Sequence, residues 1–449
     1  METWCRALPH SNAGGLRRPE RSEPNIVPSF HKAIKWNAGN RIVPEHGHRR
    51  LRRSMMSTKT GLYAAVGPLL THYEIDLEGL ALRKRGTVKM PANVQYAWPH
   101  ASKPFMYVAS SSRISRDAVG SEHFLSVFEI DPQTGAVAPS GSPVRLPHRP
   151  IHLTTDRASK NVLVAFNAPS DLHVCRIGDD GSIGARVPQR GGIDTGVFPH
   201  QVRVSGDDQL AILVTRGNPA PGNAPHAEQQ RDAGALKVFE YKDGTLGEEI
   251  SIAPGGGHRF GPRHLDFHPT APWVFVSLET QNKLCVFKRE GRRILSEPVF
   301  QRELLVTPEN VPSKQGAGTI HVHPNGRFVY CVNRGHVPVD YQGRKVLIGA
   351  DNTFAVFAVD EATGEPTLIQ HIDSAGLCAR TFALHPSGRM LVAANAETHL
   401  VKDGEAIREV SGNLAVFEVK SDGTLGFVRK YDVALGPDDK LFWMGMVDY

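Results

Sequence analysis

His200, Arg263, Glu279 and Arg334 lie far apart along 449 residues, yet as a set they could move protons around a bound anion. Arginine offers planar, bidentate donors to a carboxylate or phosphate, so several on one cavity imply an anionic ligand. One glutamate and one histidine supply groups that take and give a proton near neutrality. The guanidinium groups would also stabilise an oxyanion or enolate as charge develops. Their charge holds the glutamate ionised, ready to act as a base. Opening of an ester or lactone by activated water fits this set without a cofactor, and so does closure by proton transfer. No Gly-rich phosphate loop, nucleophile elbow, HExxH or cysteine-rich metal signature is present. One carboxylate among several arginines repels a cation, so no metal is expected at this set.

What must bring these residues together is a repeat. Seven times the chain writes an alternating apolar run, an acidic or Gly turn and a second short run, as in LSVFEIDPQTGAV from Leu125, LKVFEYKDGTLG from Leu236 and LAVFEVKSDGTLG from Leu414. That pattern is a β-hairpin. Ahead of each hairpin from the second onward stands an apolar-turn-apolar unit, clearest at His268-Pro269, His323-Pro324 and His385-Pro386. Its turn column falls at positions 100, 156, 205, 268, 323 and 385. Four-stranded units of roughly 50 to 60 residues close into propellers. The expected fold is therefore all-β, a seven-bladed β-propeller over residues 56–449. The first hairpin lacks a preceding inner strand, whereas the chain ends in an unpaired apolar run, LFWMGMV from Leu441. That last strand is expected to enter blade one and close the ring, removing exposed sheet edges.

In such a ring, two registers face one mouth of the axial channel: five residues before the turn column and eleven after it. The first reads Gln95, Ile151, His200, Arg263, Gly318 and Arg380; the second reads Ser111, Asn167, Arg216, Glu279, Arg334 and Ala396. A scaffold column should repeat one small or apolar type, whereas these diverge, as a site on a repeat scaffold does. Arg380, His264, Arg216 and Asn167 join the set as candidate substrate contacts. Taken alone, Arg216 reads as a solvated rim residue. His264, His268, His323 and His385 read most simply as scaffold histidines. Segments 217–234, 335–353 and 397–412 are polar, Gly/Pro-rich insertions leaving the same face, expected as loops that rim the pocket.

The formal charge of +6 is concentrated at one end: residues 1–55 hold 11 Lys+Arg against 4 Asp+Glu, leaving 41 against 42 for the remainder. A nucleic-acid partner is thereby rejected for the folded part. The basic segment is expected to be a disordered extension, without an apolar signal core. No apolar run reaches 18 residues, so no membrane span is expected. Five cysteines show no CxxC and no regular spacing. Cys175, Cys285, Cys331 and Cys378 sit in apolar or strand-like segments and are expected as buried free thiols of a reducing, cytoplasmic protein.

From about Leu62 to the C-terminus the sequence resembles the seven-bladed propeller lactonase family, which includes bacterial 6-phosphogluconolactonase and fungal 3-carboxy-cis,cis-muconate lactonizing enzyme. FPHQVRVSGDD around His200, FGPRHLDFHPTAPWVFVSLET from Phe260, TIHVHPNGRFVYCVNR from Thr319 and ARTFALHPSGRMLVAAN from Ala379 carry it. The resemblance implies a catalytic set at His200, Arg263, Glu279 and Arg334 and a small anionic lactone as substrate. Where the family often has Val-Asn-Glu, this chain has Ser277-Leu278-Glu279, which changes the neighbours and keeps the carboxylate. A metal-independent lactonase is the leading expectation, a lactonizing cycloisomerase its nearest rival. A non-catalytic binding scaffold is the alternative from another class, and would call for an aromatic, apolar mouth.

Overall fold

Alternating side chains give each strand two faces, and here both faces are covered. In Leu210–Thr215, Leu210, Ile212 and Val214 pack with Leu265, Val274 and Val276 of the next sheet. Ala211 and Leu213 point the other way, onto Leu163 and Ala165 of the preceding sheet. A sheet apolar on both sides must stack between neighbours, and stacked twisted sheets close into a ring. The structure, a computed structural model, describes residues 59–113, 120–218, 232–436 and 439–449. The expected basic extension, 1–55, lies outside them.

Among the described residues, seven antiparallel sheets form the blades, and an eighth sheet lies outside that series. The innermost strands are Leu441–Asp448, Asn93–Pro99, Pro150–Thr155, Pro199–Val204, Pro262–Phe267, Gln315–Val322 and Ala379–Leu384. Each touches the innermost strand of the next blade, and the last returns to the first. Closure is made as expected by the C-terminus: Leu441–Asp448 pairs antiparallel with Thr60–Val66, from Thr60 opposite Asp448 to Val66 opposite Leu441. Lys59 and Tyr449 then exchange backbone hydrogen bonds of 3.0 and 2.7 Å.

Two insertions differ from expectation. Segments 335–353 and 397–412 are hairpins rather than loops: Val337–Tyr341 with Arg344–Ile348, and His399–Asp403 with Ala406–Val410. They meet in parallel at Leu347 and Val401, forming the eighth sheet. Most of the third insertion, residues 219–231, lies outside the described residues.

Candidate active site

A repeated irregularity aims the site. In blade after blade the pairing of the innermost strand skips one residue: Phe442, Gln95, Ile151, His200, Arg263 and Arg380. A bulge leaves its extra residue out of the ladder and re-aims the side chain. Five of these are the first register read from sequence; Phe442 is its missing member, supplied by the closing strand. In blade six the irregularity spans Ala317 to Ile320. A Cβ on Gly318 would stand 2.5 Å from Val332 Cγ1, so that register position serves packing.

Two residues before His200, Arg263 and Arg380, the chain turns through left-handed φ at Phe198 (57°), Gly261 (51°) and Cys378 (54°). The carbonyls of these residues accept hydrogen bonds from the amides of Arg216 (3.0 Å), Glu279 (2.9 Å) and Ala396 (3.3 Å). In each of these three blades one backbone bond thus ties the second register to the strand entrance that carries the first.

Both registers open onto a cavity of about 820 Å³, lined by Gln95, Ile151, His200 and Arg380 from one and Asn167, Arg216, Glu279, Arg334 and Ala396 from the other. Glu279 is its electrostatic hub. Its Oε2 accepts from Arg216 Nη1 at 2.7 Å, its Oε1 accepts from Arg334 Nη2, and Arg263 Nε lies 3.4 Å from Oε1. Arg216 is therefore an ion-pair partner of the central carboxylate rather than the solvated rim residue it resembles in isolation. Its guanidinium also lies 4.3 Å from the centre of the Phe198 ring. A Cβ at Gly316 would stand 3.3 Å from Glu279 Cγ, so a small residue there lets blade six approach the carboxylate.

Burial alone would raise the Glu279 pKa, but Arg216, Arg334 and Arg263 outweigh it and hold the carboxyl well below its usual range. Burial, then the charge of Arg263, pushes His200 well below the ordinary histidine value, so its imidazole is neutral. Arg380 is pulled down to about 9 by burial and then by Arg334 and Arg149, and remains a cation at neutral pH. It lies 3.8 Å over the Phe442 ring and donates from Nε to the Phe442 carbonyl at 3.2 Å.

Below the mouth is a second cavity of about 20 Å³, bordered by His200, Arg263, His264 and Arg380. It has room for about one water. Arg263 is 1% exposed, and its Nη1, like His200 Nδ1, has no hydrogen-bond partner among the described residues. His264 borders this lower cavity, with its ring centroid 5.0 Å from that of His200. It supports the site from beneath, and the expected mouth contact is corrected accordingly.

Other lining residues escaped sequence reading: Asn93, Arg149, Phe198, Gly316 and Cys378 each stand two residues before a first-register position. They form a third column, one strand alternation further out, and the repeat register already contained it. Lys314, His336, Glu397 and Lys440 also line the cavity, from loops and the closing segment.

A ring of bulged strands converging on one carboxylate and several guanidinium groups defines a propeller with an arginine-rich mouth. The chain belongs to the lactonase, 7-bladed beta-propeller family, whose profile matches residues 58–218 and 231–434. It is 26% identical over 350 residues to 6-phosphogluconolactonase of Bacillus subtilis, covering 77% of this chain and 86% of the relative. It is 23% identical over 362 residues to that of Serratia proteamaculans, covering 80% and 90%. Among solved structures it resembles the periplasmic gluconolactonase PpgL of Pseudomonas aeruginosa, with a TM-score of 0.63 at 21% identity, covering 85% of this chain and 98% of that one. Among the described residues no helix is long and apolar enough to cross a membrane.

Proposed function

We propose that the protein hydrolyses an anionic lactone, phosphorylated or carboxylated, as a 6-phosphogluconolactonase-like enzyme. The observation that carries this reading is Glu279, pinned between Arg216, Arg334 and Arg263 beside a neutral His200. The folded part is near neutral, yet its mouth is lined by six cations (Arg149, Arg216, Lys314, Arg334, Arg380, Lys440) against three carboxylates (Glu279, Glu397, Asp439). Such local excess attracts and orients an anion.

In this mechanism the substrate's anionic group pairs with mouth arginines, including Arg334. Sharing these charges relieves the depression of His200, so binding raises its basicity when it is needed. His200 takes a proton from water as the water oxygen attacks the lactone carbonyl. Negative charge gathers on the carbonyl oxygen, facing the buried guanidinium of Arg263. Collapse breaks the ring C–O bond, and the leaving alkoxide recovers the proton from His200, giving a hydroxy acid. Glu279 keeps the arginines oriented and charged. Free thiols at Cys175, Cys285 and Cys331, all buried, suit a reducing cytoplasm.

Acid release from phosphorylated and neutral lactones tests the reading. Phosphorylated substrates should be preferred, and Glu279→Gln should slow release by about 10²- to 10⁴-fold. Full activity in that variant would remove the carboxylate from the mechanism. Ring closure of an added muconate without lactone hydrolysis would replace hydrolysis with cyclisation.

A further inference from the structure

Beside the glutamate–arginine cluster, donors of metal-ligand type stand on three segments: Cys378, Glu397 and His399 converge, and His336 flanks Cys378. Cys378 stands at the entrance to the inner strand of blade seven, His336 just after the second strand of blade six, and Glu397 and His399 just after the second strand of blade seven. The Cys378 sulfur, a Glu397 oxygen and a His399 nitrogen lie within 4.8 Å of one another. Cys378 Sγ is also 3.6 Å from His336 Nδ1. With Zn–S at about 2.3 Å and Zn–N at about 2.0–2.1 Å, a tetrahedral ion separates its sulfur and nitrogen ligands by about 3.5 Å. The pair already stands at that spacing. His399 Nε2 is buried and lies 2.8 Å from Glu397 Oε2, so the two donors already face each other. Lys440 Nζ takes the other oxygen, Oε1, at 2.6 Å, which leaves Oε2 turned to the cluster.

The backbone around these donors is fixed. Buried Asn352 accepts at Oδ1 from the amides of Cys378 (2.9 Å) and Gly335 (3.2 Å), and donates from Nδ2 to the Gly335 carbonyl (2.9 Å). One side chain thereby holds the segment of His336 against that of Cys378, as outer partners hold the ligands of metal sites. The donors also occupy a mechanically useful place. His336 immediately precedes Val337–Tyr341, and His399 opens His399–Asp403, so they sit at the bases of the two hairpins of the eighth sheet. Between those hairpins the backbone register has the single parallel pair Leu347–Val401.

We propose that Cys378, His336, His399 and Glu397 bind one zinc-class divalent cation, which staples the bases of the two rim hairpins. Two neutral imidazoles, a thiolate and a carboxylate balance its charge, and the thiol proton passes to solvent on binding. The mixed sulfur, nitrogen and oxygen set favours zinc over magnesium or calcium. This site borders the same cavity as Glu279 but uses none of its ion-pair partners, and it does not rest on the proposed lactone chemistry.

Cobalt(II) added to the chelator-treated full-length protein gives a direct readout, since a thiolate ligand produces a charge-transfer absorption. The expected result is one equivalent of cobalt bound, with that absorption present, bleached by zinc and lost in Cys378→Ser. His399→Asn should weaken zinc binding by at least about 10-fold in competition with a chromophoric chelator. Absence of the band in the unaltered protein, its survival in Cys378→Ser, or unchanged zinc affinity in folded His399→Asn would overturn the proposal.

Discussion

The two ends of the inner strands use similar residues for opposite purposes. At the turn end, His100, Asp156, Ser205, His268, His323 and His385 all accept from the backbone of their own turn. The bonds run from the amides of Lys103 (3.1 Å), Lys160 (2.7 Å), Leu210 (3.0 Å), Ala271 (2.8 Å), Asn325 (3.2 Å) and Ser387 (3.1 Å). Three chemistries thus perform one structural task. The rings also brace the next blade: a Cβ on Gly326 would stand 2.5 Å from His268 Nε2, and one on Gly388 would stand 2.4 Å from His323 Nε2. At the mouth end, His200 and Arg263 direct polar atoms into cavities instead. Both columns vary in residue type, so variety alone does not mark a site. The direction of the polar atoms does.

The harshest way to break this comparison is to open the ring on which both ends depend. Removing residues 440–449 takes away the partner of Thr60–Val66 and the buried side chains Leu441, Trp443, Met444 and Val447. Each such side chain contributes about 1.5–3 kcal/mol, and a native domain holds only about 5–15 kcal/mol in all. The truncated protein should lose cooperative thermal unfolding; an unchanged melting temperature would refute closure by the last strand.

A matched pair of substitutions sharpens the contrast. His268→Ala should lower stability by about 1–3 kcal/mol, because the turn amides of Thr270 and Ala271 lose their acceptor, while acid release per folded molecule stays unchanged. His200→Gln should reverse the pattern, with acid release falling about 10²-fold or more and a small change in melting temperature. Denaturation and lactone hydrolysis measured on both variants decide it. Equal effects of the two substitutions on activity would erase the distinction between the ends.

The blades, their number and their closure were legible because hairpins are written locally, in alternation and turn residues. The mouth was legible because a repeat lets equivalent positions be compared without knowing any contact. Arg216 shows where this stops: its partner Glu279 is 63 residues away, and no local pattern pairs them. The eighth sheet was half written. Gln342-Gly343 and Gly404 have the positive φ of tight turns, at 50°, 70° and 61°, so each hairpin left a trace. Their meeting at Leu347 and Val401 is a tertiary contact with no sequence period. Cys378 also departed from its expected burial. It stands just before an inner strand and is partly exposed, whereas Cys175, Cys285 and Cys331 are buried.

The finest difference between the two ends should appear in how stability depends on pH. Burial, followed by the charge of Arg263 or Arg203, lowers His152, His200 and His264 well below 6.5 on the mouth side of the channel. Below pH 6.5 the unfolded chain protonates these residues and the folded one does not, so the unfolded state binds more protons and stability drops as the pH is lowered. Each histidine contributes a slope of about 1.4 kcal/mol per pH unit well below that value. Glu279 works in a separate window. Its folded pKa is depressed, so its contribution is complete above the unfolded carboxylate value and is lost only as pH falls through the lower folded one. Denaturant unfolding between pH 7.5 and 5 therefore reads the histidines and leaves Glu279 silent. His152→Phe keeps a ring against Tyr96, whose centroid is 3.8 Å away, and removes one titrating group. It should reduce the slope by about one proton. A slope identical to that of the unaltered protein would mean that His152 is protonated in the folded channel and that its neutral state is wrongly assigned.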